Sequence, residues 1–385
     1  MFFFGPTTIF VLACNVFLSQ AALVPPDLRA ARQPAKADDV LSITLSNAKG
    51  QSVKSIDDLR LSAKVTNVGG APIKVVKFGG IWNGSPTQSF IVRKGGEEVK
   101  FVGIIPQLAL TFNEHGFYTT LAPNQTITVE HKLAVLYDFS AAGSGEYSFE
   151  PLAALAPDVP STPLTVLKAA PEKELTLTVV DDVEDRLLEP EPNDKGLGKR
   201  ATNVCLDPIK RRFITASYLE SKHLAKIAAR YVLLRGRDAL FQSYFKTNIA
   251  ASIRTRFTGV ETEFVPARTL NCADITGSCT GGNVIAYTVI RTSNIYYCDI
   301  FYREVSSDRL CSHQYTDATL IRGGTTLHEM VHANSAANNV PNTNWVIDYG
   351  YGCLFDQTLP TAQRAKNADS FNCFATQVFT GCPII

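Results

Sequence analysis

The 385-residue sequence predicts two regions of different class, an all-β, sandwich-like region over about 38–180 and an α+β domain over 201–385. Three observations carry this. From Asp38 to Val180 the chain runs in short stretches rich in Val, Ile, Leu, Thr and Phe, such as Leu61-Ser62-Ala63-Lys64-Val65-Thr66-Asn67-Val68, broken by Gly, Pro and Asn. That is the spacing of many short strands joined by turns. After residue 200 the period changes, and Tyr218 to Tyr231 sets its apolar residues at helical spacing. The cysteines divide the same way: Cys14 apart, all of them (Cys205, Cys272, Cys279, Cys298, Cys311, Cys353, Cys373 and Cys382) follow Arg200.

The amino terminus explains that division. Met1 to Ala22 is apolar, with the run Ile9 to Leu18 followed by the small residues Ser19, Ala21 and Ala22, the pattern of a cleaved secretory signal. The unbroken apolar stretch is shorter than the ~20 residues of a membrane span, so 1–22 is read as a signal peptide and the rest as secreted and extracellular, with no membrane attachment. The β-region carries two acceptor sequons, Asn83-Gly84-Ser85 and Asn124-Gln125-Thr126. An acidic, proline-bearing linker over 181–198 follows and ends in the dibasic pair Lys199-Arg200, a suitable site for a kexin-like processing protease. Residues 23–200 are thus expected to be a propeptide. An even number of cysteines confined to one secreted segment argues four disulfides rather than a thiolate metal site, although spacing leaves the connectivity open.

The chemistry is concentrated in His328-Glu329-Met330-Val331-His332. H-E-x-x-H on a helix sets two imidazoles one turn apart on one face, with a carboxylate beside them that can serve as general base to a zinc-held water. Thr325 or Thr326 is expected to cap this helix after a break at Gly323-Gly324, and Leu327, Met330 and Val331 supply its apolar side. Two histidines do not complete a catalytic zinc site, so the third ligand decides the class. The metzincin positions for Gly and His hold Ser335 and Asn338, and no Glu follows Glu329 and no His follows His332. The acids left downstream are Asp348, Asp356 and Asp369.

Asp348 stands in Val346-Ile347-Asp348-Tyr349-Gly350-Tyr351-Gly352. Following H-E-x-x-H, its D-x-x-Y-G resembles the aspzincin signature of the deuterolysin family, G-T-x-D-x-x-Y-G, with Trp345 and Val346 in place of the Gly-Thr pair. Asn283 to Thr288, Cys298 to Tyr302, Thr325 to Met330 and Asn367 to Ser370 are similar to deuterolysin segments as well. The resemblance implies a zincin-like catalytic domain over 201–385 holding one Zn2+ on His328, His332 and Asp348. It also implies that Glu329 is the general base and that the Tyr351 hydroxyl steadies the oxyanion of a peptide bond under attack. It further implies bridges Cys205–Cys272, Cys279–Cys298 and Cys311–Cys382, leaving Cys353 with Cys373. Two residues are candidates for supporting the site. Asp369, on a helix expected over about 361–379, either fixes the tautomer of a ligand histidine or faces solvent; Tyr302, on a strand expected over about 295–302, either lines the cleft or packs. His223 and His313 are read as packing or surface histidines.

Net charge is +1 overall, with 18 Lys and Arg against 14 Asp and Glu after Arg200 and 19 against 22 up to it. No basic stripe, stacking platform, phosphate-binding glycine loop or repeat points to nucleic acid. Residues 201–385 suffice for one core without a partner subunit, so a monomer acting on protein and peptide substrates is expected. The propeptide would aid folding and cover the cleft. It offers no cysteine for a thiolate switch, whereas His115, His131 or an acidic side chain could cap the metal. The alternative is a secreted binding or adhesion protein that keeps a degenerate zincin-like domain as scaffold.

Overall fold

The computed structural model describes residues 40–109, 118–155, 165–168, 173–189, 201–263, 265, 267–280, 282–310, 321–337 and 345–380. The signal segment, Lys199, Arg200, Cys311, Cys382, His115 and His313 lie outside them.

The amino-terminal region is built from strands β1 (Leu41–Asn47), β2 (Ser52–Ser55), β3 (Arg60–Asn67), β4 (Ile73–Gly80), β5 (Phe90–Lys94), β6 (Glu97–Glu98), β7 (Ile104–Leu108), β8 (Tyr118–Leu121), β9 (Thr126–Lys132), β10 (Gly145–Leu155), β11 (Thr165–Lys168) and β12 (Leu175–Asp182), with one helical turn, α1 (Phe139–Ala142). Alternation decides which face is buried: Leu61, Ala63 and Val65 of β3 turn inward with Ile43 and Leu45 of β1, while Arg60 and Lys64 turn out. One sheet runs β1-β3-β9; the other runs β2-β12-β10-β4-β8, with β5 and β11 also on β10.

This β-region does not close on itself as the sequence suggested. β7 leaves it and joins the sheet of the carboxy-terminal half, and residues from Lys36 onward form one compact unit. Gly103 permits the departure, because a Cβ there would lie 2.4 Å from Pro86 O and 2.5 Å from the Phe101 ring. Ile290, Ala336 and Trp345 of the carboxy-terminal half pack into the apolar core of the β-region.

The carboxy-terminal half is α+β. Its strands β13 (Thr202–Asn203), β14 (Thr269–Asn271), β15 (Val284–Val289) and β16 (Ile295–Tyr297) continue the order β13-β14-β16-β15-β7, in which β15 runs antiparallel to both neighbours. The helices are α2 (Pro208–Arg235), α3 (Ala239–Phe245), α4 (Ala250–Thr262), α5 (Arg322–Ala337), α6 (Cys353–Asp356), α7 (Thr361–Arg364) and α8 (Ala368–Thr380). Asp207 starts α2 by accepting the Ile209 and Lys210 N–H groups. Phe245, Phe257, Phe371 and Phe374 join α3, α4 and α8 in an aromatic cluster. His223 meets the edge of Phe379, the packing role expected of it.

Four expectations about local structure are corrected. Gly323 and Gly324 lie inside α5 rather than before it, because a Cβ on Gly323 would sit 2.6 Å from Glu220 Cβ on α2: glycine lets the two helices approach. Thr325 and Thr326 are therefore not caps but buried links to Glu304 and Ser217, at 2.8 and 2.9 Å. The helix expected over 361–379 is broken between α7 and α8, where Lys366 O accepts from Ile347 N–H and Ala368 N–H donates to Ile347 O. Pairing with Ile347 outcompetes helix continuation there. The second strand stops at Tyr297, and residues 299–303 form a 3-10 helix, which puts Tyr302 against Phe213, Phe301 and Lys210. Tyr302 thus packs against α2.

Candidate metal centre and its cleft

α5 carries His328, Glu329 and His332, all fully buried, and places the two imidazoles on one face. The Ile347 pairing with residues 366–368 holds the following residue, Asp348, over that face. His328 Nε2 lies 3.1 Å from Asp348 Oδ1, His332 Nε2 lies 3.2 Å from Asp348 Oδ2, and the two Nε2 atoms are 3.1 Å apart. Three donor atoms converging on one point is an arrangement that suits a bound cation.

Each donor is oriented from behind. His332 Nδ1 lies 2.8 Å from Val346 O, so its Nδ1–H donates to that carbonyl and Nε2 is left free. His328 Nδ1 lies 3.5 Å from Asp369 Oδ1 at the start of α8. The Tyr351 hydroxyl lies 2.9 Å from Asp348 Oδ2, and its ring stacks on His328. Burial, and then the Asp348 carboxylate, keep that hydroxyl protonated well above the ordinary range, which preserves it as a donor. Burial opposes ionisation of Asp348, but the two imidazoles outweigh it and hold its carboxyl below the ordinary range. Burial raises Glu329 to about 7 against the pull of His328 and His332. Its Oε2 accepts from Thr288 Oγ1 at 2.5 Å, and Oε1 has no partner among the described residues.

The site residues anticipated from sequence are thus brought together, Asp369 included and Tyr302 excepted. Three disulfides form as expected, Cys205–Cys272, Cys279–Cys298 and Cys353–Cys373; the expected Cys311–Cys382 bridge lies outside the described residues. Thr288 and the Val346 carbonyl were not foreseen. Only the register of β15 against α5 reveals the first, and a backbone oxygen leaves no trace in residue types.

A family model described as the deuterolysin metalloprotease (M35) family matches residues 21–382. The chain belongs to this family. It is 28% identical to a probable neutral protease 2 homolog of Arthroderma otae over 92% of this chain and 93% of that protein. It is 27% identical to a neutral protease 2 homolog of Arthroderma gypseum over 94% and 98%. A solved zinc peptidase from Grifola frondosa aligns with 96% of its own length and 44% of this chain at 16% identity and a TM-score of 0.34. A deuterolysin is a zinc metalloendopeptidase, and the donor set of this one fits that metal. Tetrahedral ligands at ordinary zinc bond lengths stand about 3.3 Å from one another, against the 3.1 to 3.2 Å separations here. As members of the deuterolysin family act on peptide bonds, Glu329 Oε1, buried and without a partner among the described residues, becomes the group of greatest chemical interest.

Proposed function

We propose that this deuterolysin is a secreted endopeptidase made as a zymogen, in which His328, His332 and Asp348 hold a single zinc, Glu329 is the general base and Tyr351 the oxyanion donor. The convergence of the two Nε2 atoms and the Asp348 carboxylate carries the reading. Zinc, when bound, supplies Lewis acidity and lowers the pKa of water. Glu329 accepts the proton of the attacking water and returns it to the leaving amine, and the Thr288 hydroxyl fixes which carboxylate oxygen is free to do so. The Tyr351 hydroxyl donates to the developing oxyanion, where a fixed donor lowers the barrier most. Asp369 holds the His328 ring from behind.

Disulfides in the carboxy-terminal half suit an oxidising compartment, and the apolar residues 1–22 suit a signal that delivers the chain there. Processing after Lys199-Arg200 by a kexin-like protease would separate residues 23–200, the folding aid and cleft cover, from a monomeric catalytic domain at 201–385. Glu329→Gln is expected to keep zinc and lose at least about a thousandfold in casein hydrolysis after processing; processed, zinc-loaded variant working at the wild-type rate would overturn the assignment.

A further inference from the structure

Resting on the reading of the cleft as a peptidase site, we infer that residues 102–109 of the amino-terminal region occupy the substrate's place along β15 and hold the chain latent until they are released.

β15 is the strand at which the carboxy-terminal sheet would end, and a sheet edge beside a catalytic helix is a docking edge for an extended peptide. That edge is filled from within the same chain. β7 pairs antiparallel with it in the register Ile104↔Val289, Ile105↔Thr288, Pro106↔Tyr287 and Gln107↔Ala286. Backbone bonds extend the pairing at both ends, from Ile290 N–H to Gly103 O at 2.8 Å and from Ala109 N–H to Asn283 O at 2.9 Å. The alternation of an antiparallel ladder then puts Ile105 and Gln107 in hydrogen-bonded positions and Pro106 between them. Proline has no N–H to lose at such a position, and its carbonyl faces away from β15.

What that carbonyl meets is the Tyr351 hydroxyl, at 2.7 Å. The same hydroxyl lies 2.9 Å from Asp348, and Thr288, opposite Ile105, holds Glu329. A backbone carbonyl from the amino-terminal region therefore sits on the group assigned to stabilise the scissile carbonyl, carried by a strand paired as an extended substrate would be. Ile104 and Leu108 close the position by packing with Val284, Tyr287, Val289 and Tyr296. Gln107, on the strand face shared with Ile105, is buried, and its Oε1 has no partner among the described residues. The cover is thus a peptide in the cleft, and any protein substrate must displace it.

The test uses the full chain. Hydrogen exchange of the Val284–Ile290 amides and hydrolysis of a short peptide are measured for the intact chain, for the chain cleaved after Arg200, and for intact Gln107→Pro, which removes a ladder N–H. The expected result is slow exchange and no hydrolysis in the intact chain. In Gln107→Pro, exchange quickens at least tenfold and peptide hydrolysis appears without cleavage. Should that variant fail to fold, a synthetic peptide of residues 102–109 is added to the cleaved preparation, where it is expected to raise KM at unchanged kcat and to slow exchange over Val284–Ile290. Equal activity of intact and cleaved wild-type chains, or a peptide that neither competes nor protects, overturns the inference. If no form hydrolyses peptide, the peptidase reading fails instead, and exchange at β15 still reports whether the edge is occupied.

Discussion

Asp369 ties His328 to the turn that follows Tyr351: Oδ1 lies 3.5 Å from His328 Nδ1, and Oδ2 accepts the Gly352 N–H at 2.5 Å. One carboxylate thus stands behind the ring of a proposed ligand and accepts from the backbone beside a proposed oxyanion donor. Gly352 has φ +102, a conformation that favours glycine and lets the turn present its N–H in this direction.

The first expected consequence concerns metal affinity. Asp369→Asn keeps the shape but removes the charge that favours a donating Nδ1–H, so zinc should bind roughly 10- to 100-fold more weakly, as for other losses of partners behind metal ligands. Competition against a chromogenic chelator reads this directly, and an unchanged dissociation constant would place Asp369 in a packing role.

The Cys353–Cys373 bridge joins α6 to α8 across a sequence separation of 20 residues. Cross-linking a loop of that size removes chain entropy worth about 3 kcal/mol from the unfolded state. Paired Cys353→Ser and Cys373→Ser substitutions should lower unfolding stability by about that amount and speed zinc loss, since Asp348 and Tyr351 immediately precede the bridged Cys353. Urea denaturation and a zinc-release assay check the two halves separately.

Arg268 and Glu263 form a fully buried ion pair at 2.8 Å, and the same guanidinium nitrogen reaches Asn334 Oδ1 on α5 at 2.8 Å. Burial lowers Arg268 to about 10 against the pull of Glu263. Removing one partner of a buried pair leaves the other charge uncompensated, so Glu263→Ala should cost about 3–5 kcal/mol. A loss of unfolding free energy under about 1 kcal/mol, read from denaturant unfolding, would show that water enters to compensate.

His131, on β9, is buried with its ring against the edge of Phe90, and burial lowers its pKa to about 4 from 6.5, partly opposed by Ile81 and Glu130. The folded state therefore favours neutral imidazole. Its contribution is complete above the unfolded pKa near 6.5 and is lost as pH falls toward about 4, amounting to roughly 3 kcal/mol. Wild-type chain should lose stability between neutral pH and pH near 4, and His131→Asn should flatten that slope; parallel slopes would assign the acid sensitivity to other groups.

Much of this could be read along the chain. The pair His328 and His332 with Glu329 follows from helical spacing, and the choice of Asp348 among the three acids downstream follows from the resemblance of its D-x-x-Y-G run to the deuterolysin signature. Asp369 could be placed on a helix but not aimed, since its direction depends on where α8 begins, and Ile347 pairing with residues 366–368 sets that start. The strand expected as far as Tyr302 ends at Tyr297 for the same kind of reason, because aromatic residues favour a strand by type while residues 299–303 form a 3-10 helix.

Residue type and spacing carry the H-E-x-x-H donor pair, the change from β to mixed architecture and the segregation of cysteines. The tertiary structure alone decided that Thr288 holds Glu329, that Arg268 and Glu263 sit in the core, and that β7 crosses from the amino-terminal region to lie along β15 with Pro106 at Tyr351. The physical reason is that helix faces and metal-ligand spacing are short-range, whereas strand pairing between residues nearly two hundred positions apart is set by which apolar surfaces find each other in the folded chain.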